Sequence, residues 1–460
     1  MKTTKKILTI LSITTLLFVF SLFANAETYG DLTYTVTDGE VTITESSLFV
    51  ASVVIPSQID GYPVTSIGDY AFSYCNNLTS VTLPDSVESI GYAAFYYCTS
   101  LTSVTIPDSV TSIGDRAFSS CNNLTSVTIG NSVTSIGDYA FEFCTSLTSV
   151  TIGNSVTSIG YSAFENCDSL TQINWNAKNV NDFSLGNFAF AYAGQSGNGI
   201  NVVFGDSVEK IPACAFCPYS SSDSPKIVSV TIGNNVTSIG DCAFENCDSL
   251  ASVTIGNGVT SIGFCAFYNC TSLTSITIPD RVTSIGDCAF ENCDSLTQIN
   301  WNAKNVNDFS LENYVFCYAG QNGDGINVIF GDSVEKIPAN AFAPLYWSSS
   351  YSPKIVSVTI GDSVTSIGYR AFYRCTSLEN ATIYSRNVAF DDDVFKGYNL
   401  ILYGYAGSTT EIYGNENDIP FVALEEPGYI PGDVNGDGVV NNRDAARILQ
   451  YVAGWDVELK

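Results

Sequence analysis

The segment VTSIGDYAFSYCNNLTSVTLPDS, residues 64–86, is followed at once by VESIGYAAFYYCTSLTSVTIPDS, residues 87–109, and this grammar governs most of the chain. Units of this kind open at Val64, Val87, Val110, Val133 and Val156, again at Val236, Val259 and Val282, and once more at Val364. Longer variants of 28–30 residues open at Val180, Val208, Val306 and Val334 and keep the pattern around inserted loops. One phenylalanine marks each unit, from Phe72, Phe95 and Phe118 through to Phe395, fourteen in all.

Two periods share each unit. In LTSVTLP, residues 78–84, apolar residues alternate with Ser and Thr, so Val81 and Leu83 take one face of a short strand and Ser80 and Thr82 the other. VTSI, residues 64–67, is a second extended piece, ended by Gly68. Between them Ala71, Phe72 and Cys75 stand at i, i+1 and i+4, a spacing that one helical turn directs at a core. A unit this small cannot bury its own apolar face, but in a stack each turn covers the last. The predicted fold is a repeat solenoid of about fourteen turns, built from short parallel strands with single helical turns around a continuous Leu/Val/Ile/Phe/Cys core.

The recurrence of Ile67-Gly68, Ala71-Phe72, Cys75, Leu78 and Val81 at fixed spacing resembles the bacterial surface leucine-rich repeats of the BspA type, over residues 64–386. The resemblance implies an N-terminal cap at 27–63 and a C-terminal cap at 387–427. It also implies a curved, non-catalytic scaffold of the sort used for adhesion or for binding proteins and glycans.

The chain carries 18 basic and 46 acidic side chains, a formal net charge of −28. Such a surface repels phosphate backbones and anionic lipid, which disfavours nucleic acid and membrane-surface partners and leaves Ca²⁺ and cationic partners open. Residues 1–26 read as a secretory signal: Lys2, Lys5 and Lys6 precede an apolar run from Ile7 to Phe23, and Ala24-Asn25-Ala26 forms a small-residue cleavage site. The alternative is an uncleaved anchor. The expected location is extracellular, or the cell surface through attachment to a cellulosome, with no membrane insertion after cleavage.

Fifteen cysteines in an exported chain invite a disulfide framework, yet Cys75, Cys98, Cys121, Cys144 and Cys167 recur every 23 residues, each three after a Phe. A second register holds Cys242, Cys265 and Cys288, two before the same Phe. The odd total and the inward-facing positions favour reduced, buried thiols acting as small hydrophobes. Pairing between neighbouring turns stays open, because adjacent strands about 4.8 Å apart permit it.

A larger echo places SLTQINWNAKNVNDFSL at Ser169 and again at Ser295, a step of 126 residues that also relates Trp175 to Trp301. Either this is plain duplication, or it sets two similar bulges about 25 Å apart that grip a repetitive ligand by multivalency. Outward Thr rows, such as Thr82, Thr105 and Thr128 or Thr111, Thr134 and Thr157, suit exposed strands. Tyr92, Tyr96, Tyr161, Trp347 and Tyr351 are candidates for stacking on sugar rings, or for packing between turns.

The absence of histidine removes Ser-His-Asp and Cys-His nucleophilic systems and HExxH zinc sites. Carboxylates are plentiful, but those such as Asp69, Asp85, Asp108 and Asp115 recur with the repeat, and no pair departs from it as a catalytic pair should.

After residue 427 the grammar changes. In DVNGDGVVNNRD, residues 433–444, Asp433, Asn435, Asp437, Asn441 and Asp444 fall at loop positions 1, 3, 5, 9 and 12, and the Val439 carbonyl falls at position 7. Gly438 at position 6 permits the sharp turn, so the spacing is that of a Ca²⁺ loop. A helix is predicted from Arg443, with Ala445, Ile448, Leu449 and Val452 on one face. Asp at position 12 and the place after a linker, 428–432, resemble the dockerin module of cellulosomes. That resemblance implies Ca²⁺ as cofactor, a cohesin of a scaffoldin as partner, and Asn442, Arg443, Leu449 and Gln450 as the cohesin contacts. A dockerin repeats its loop and helix, whereas residues 433–460 hold one copy. The expectation is a truncated module, with a half module of weakened folding as the alternative.

The reading is thus a secreted, non-catalytic binding protein whose repeats recognise an unknown extracellular protein or glycan and whose calcium segment attaches it to a cellulosome-like scaffold. The alternatives are a polysaccharide-degrading cellulosomal enzyme and a free adhesin with an inert dockerin remnant.

Overall fold

The computed structural model describes residues 26–218, 220–310, 313–344, 352–396 and 399–425, with residues 434, 444, 445, 447 and 448 beyond them. The chain opens as an antiparallel meander of strands Glu27–Tyr29, Leu32–Thr37 and Glu40–Ser46. The third strand pairs in parallel with Tyr62–Ile67, which starts a ladder continued by Ser89–Ile90, Ser112–Ile113, Ser135–Ile136 and Ser158–Ile159. A second parallel ladder starts at Ser52–Val54 and Ser80–Thr82 and climbs through Ser149–Ile152, Gln172–Trp175, Ile200–Phe204 and Ile227–Ile232 to Ser252–Thr254. It resumes at Ser275–Ile278 and reaches Phe421–Ala423. Register follows the repeat, as Ser112 pairing with Ser135 shows. Most strands of the repeats show the alternation that the sequence predicts: in Ser80–Thr82 only Val81 is buried. The stack is a parallel solenoid of short strands, the predicted class.

The third side of each turn corrects the expectation of a helical turn. Ala71 N donates to Gly68 O, Ser73 N to Tyr70 O and Cys75 N to Phe72 O, so three β-turns overlap where one helical turn was expected. Tyr70 and Tyr74 have φ of 60° and 61°, the left-handed value that a type II turn needs at its third position. This pattern frees alternate amides, and Tyr70 N, Phe72 N and Tyr74 N donate to Tyr92 O, Ala94 O and Tyr96 O of the next turn at 2.7–2.9 Å. A left-handed non-glycine residue costs about 1–2 kcal/mol, and these inter-turn hydrogen bonds offset it.

The fourteen phenylalanines form one column. Successive ring centroids from Phe72 to Phe395 lie 4.9–5.6 Å apart, and most pairs are within 12° of parallel. Beside it runs the cysteine ladder, most of whose thiols donate to the carbonyl of a Phe, Cys121 Sγ to Phe95 O at 3.2 Å and Cys144 Sγ to Phe118 O at 3.3 Å, whereas Cys75 Sγ donates to Ser47 O at 3.8 Å. All fifteen cysteines are free in this structure, and all but Cys214 and Cys288 are buried. Burial pushes the thiols of Cys75, Cys293 and Cys375 up to about 12.

The duplicated blocks fold alike. Trp175 and Trp301 are fully buried at equivalent places, and the strand register slips by one residue at Ile200/Asn201 and again at Ile326/Asn327. Towards the end a helix, α1 (Thr409–Glu416), is capped by Ser408, whose Oγ accepts from Glu411 N, while the Glu411 carboxylate accepts from Gly407 N. Its Tyr413 stacks on Phe390 at 4.3 Å and covers the last ring of the column, Phe395.

Candidate interaction surface

The overlapping turns decide which side chains face out. Left-handed positions flank the column Phe, two before and two after, and in the first six turns seven of them hold aromatic residues, Tyr70, Tyr74, Tyr97, Tyr139, Phe143, Phe188 and Tyr192, while Ala93, Arg116, Ser120, Ser162 and Asn166 hold the rest and Ala93 and Ser162 stay buried. Tyr70 and Tyr74 are 56% and 54% exposed, and Phe143 is 42% exposed, although apolar rings normally seek burial. Tyr92 and Tyr161 join them from the adjacent position. The rings hold one another edge to face: Tyr70 on Tyr92 at 5.2 Å, Tyr139 on Tyr161 at 5.2 Å, Tyr161 on Phe188 at 5.6 Å. Arg116 lies 4.4 Å over the Tyr139 ring. The result is a rigid aromatic band along one side of the N-terminal turns. Among it Glu142 is half-buried, and burial raises its carboxyl pKa against a hydrogen bond from Ser119 Oγ at 3.3 Å.

A second concave feature is a trough of about 550 Å³ over the short strands Ser238–Ile239, Ser261–Ile262 and Ser284–Ile285, walled by Asp241 and Asp287. It ends at Lys210, whose Nζ meets Asp182 Oδ1 at 2.7 Å. The Asp182 carboxylate also accepts from Ala213 N at 2.8 Å, so it ties two turns together. The hydrogen bond from Lys210, then that from Ala213, holds its pKa low.

Of the aromatic residues that the sequence nominated, Tyr92 and Tyr161 lie on the band, Tyr96 is half-buried against Tyr74 at 5.4 Å, and Trp347 and Tyr351 fall outside the described residues. Tyr70, Tyr74, Tyr97, Tyr139 and Phe143 were missed. Their signal was positional, two residues either side of the column Phe, and it becomes legible only once those positions are known to be left-handed. The row of Thr111, Thr134 and Thr157 is structural: Thr134 Oγ1 donates to Thr111 O at 3.0 Å and Thr157 Oγ1 to Thr134 O at 3.1 Å.

Asp433, Asn435, Asp437, Val439 and Asn441 of the expected calcium loop lie outside the described residues, as do Asn442, Arg443, Leu449 and Gln450 of the expected cohesin contact. Asp444 is described: it is helical and 2% exposed, with Ala445, Arg447 and Ile448 helical after it. The donor set of the loop is entirely oxygen, which suits a hard cation such as Ca²⁺. Among the described residues no group of three or more Cys, Asp or Glu is placed to hold a metal ion, and no helix is long and apolar enough to cross a membrane.

A stack of short parallel strands around repeated Leu, Phe and Val columns is a leucine-rich-repeat solenoid. The profile described as "BspA type Leucine rich repeat region" matches in six copies, over residues 65–195, 209–346 and 349–415, and the chain belongs to that family. Solved structures similar to it include a leucine-rich repeat protein from Bacteroides ovatus, 25% identical, covering 87% of this chain and 100% of that one at a TM-score of 0.47. A leucine-rich repeat protein from T. pallidum is 26% identical over 54% of this chain and 91% of that one, TM-score 0.35. A leucine-rich cell surface protein from Faecalibacterium prausnitzii is 26% identical over 75% of this chain and 94% of that one, TM-score 0.27. No curated protein sequence matches the chain.

Proposed function

We propose that this is an exported, non-catalytic binding protein in which two tasks are divided along the chain. The leucine-rich repeats recognise an extracellular protein or glycan through the aromatic band, and residues 433–460 bind Ca²⁺ and attach the protein to a cohesin of a cellulosome-like scaffold. The observation that carries the first task is the band itself, exposed rings fixed by their neighbours and therefore ordered before a ligand arrives. Aromatic faces so presented suit the C–H faces of sugar rings and the apolar anchors of a protein partner. For the second task the support is the spacing of oxygen side chains from Asp433 to Asp444, and the withdrawal of the Asp444 carboxylate from solvent at the start of a helical stretch.

The test replaces Tyr74, Tyr97 and Phe143 together by Ala and measures affinity electrophoresis in xylan, soluble β-glucan and mucin. The expected result is retention of the parent protein by at least one polymer, loss of that retention in the variant, and an unchanged circular dichroism spectrum. Equal retention of parent and variant removes the band from the account. Release of reducing sugar by the pure protein contradicts the non-catalytic reading.

A further inference from the structure

South of the aromatic band the same left-handed turn position holds cysteine in four successive turns: Cys214, Cys242, Cys265 and Cys288, with φ of 50–58°. Their amides donate into the following turn, Cys214 N to Asp241 O at 2.8 Å, Cys242 N to Phe264 O at 2.7 Å and Cys265 N to Asp287 O at 2.9 Å, which stacks the residues one above another. Cys217 lies beside Cys214, its amide bonded to Cys214 O at 3.3 Å. Cys217, Cys242 and Cys265 form a cluster separate from the main core, with Cys214 and Cys288 packed against it and only partly buried.

The two cysteine registers differ in exposure. In the core register the sulfurs are buried and most S–H groups meet a Phe carbonyl, as for Cys270 Sγ and Phe244 O at 3.3 Å. In the outer register the three clustered thiols are joined by Cys214 and Cys288, which are only partly buried. A carboxylate stands beside the row: Glu245 Oε2 accepts from Cys217 Sγ at 3.6 Å.

We propose that Cys214, Cys217, Cys242, Cys265 and Cys288 are an oxidisable row, in which exchange with an external small-molecule disulfide forms two cross-links between neighbouring members and leaves one thiol. Neighbouring parallel turns sit about 4.8 Å apart, inside the Cα separation of about 4.4–6.8 Å that a disulfide needs. Cys214 starts the reaction, because it is partly exposed and packs against the cluster, where Cys217 and Cys242 lower its pKa and favour the thiolate. The thiolate attacks one sulfur of RSSR, the S–S bond breaks, and RS⁻ departs and takes a proton from solvent. Cys242 then gives its proton to Glu245, attacks Cys214 Sγ and expels the second RS⁻. Two protein thiols are oxidised and one external disulfide is reduced to two RSH. Repetition at Cys265 and Cys288 forms the second link.

The row thereby becomes a redox staple across successive turns, independent of the aromatic band and the calcium loop.

The test incubates the native full chain with excess oxidised glutathione, alkylates the remaining thiols with iodoacetamide and maps the peptides by mass spectrometry. The expected result is two disulfides among these five residues, label on the fifth, and the other ten cysteines unmodified before unfolding. No disulfide, or a link to a core cysteine, would overturn the proposal. Replacing Cys214 and Cys288 together by Ser checks the row, because the three remaining thiols allow only one disulfide. Two disulfides in that variant would also overturn it.

Discussion

Replacing Phe141 by Ala tests the column that holds the solenoid together. Phe141 is fully buried between Phe118 and Phe164, with both ring centroids at 5.2 Å and interplanar angles of 3° and 4°. A buried Phe side chain removes upwards of about 150 Å² from water, worth about 4 kcal/mol at about 25 cal/mol per Å². Two lost ring contacts add to that and partial collapse of the cavity subtracts, so the expected cost is about 4 kcal/mol, inside the range of about 3–5 kcal/mol for such truncations. The control is Phe143→Ala, two residues away and 42% exposed, which should cost less than about 1 kcal/mol. Urea unfolding followed by circular dichroism reads both. Because each turn touches only its neighbours, Phe141→Ala should add an early transition for the turns around it. A variant within about 1 kcal/mol of the parent, indistinguishable from Phe143→Ala, would refute the claim that the rings are one continuous core.

Other outcomes follow from the same geometry. Gly137→Ala would bring a Cβ within 2.5 Å of Asp115 N and 2.6 Å of Gly114 C, both backbone atoms of the preceding turn, so it should destabilise by about 1–3 kcal/mol in the same urea assay. Asp182 has a lowered folded pKa, so its contribution to stability is present above the unfolded carboxylate pKa of about 3.9 and is lost as pH falls through the folded value. Asp182→Asn should therefore be less stable than the parent at pH 7, with the two unfolding midpoints converging below about pH 4; a gap that stays constant with pH would contradict this. Asp433→Ala with Asp437→Ala should abolish the heat of calcium binding and leave the urea unfolding of the repeats unchanged.

The strands were legible because their burial has a period of two and the register is set by repetition: once Val81 and Leu83 face in, every homologous pair does. The Phe column was legible for the same reason. The turn after Gly68 was not, since apolar spacing at i, i+1 and i+4 fits both a helical turn and overlapping β-turns. Tyr, Cys, Arg and Ser at Tyr70, Cys242, Arg116 and Ser120 carry no sign of the positive φ that normally marks glycine. That one misreading hid most of the aromatic band and the difference between the two cysteine registers, because both depend on where a left-handed residue sends its side chain. The proposed calcium loop rests on side-chain chemistry alone, as a ligand set at fixed spacing needs no tertiary context.

The most direct test of the division of labour is a calorimetric titration of the intact protein with Ca²⁺, repeated in the presence of a panel of cohesins. The account predicts one calcium site, lost in the Asp433→Ala and Asp437→Ala variant, and binding of a cohesin only when calcium is present. No calcium heat and no cohesin binding would contradict it.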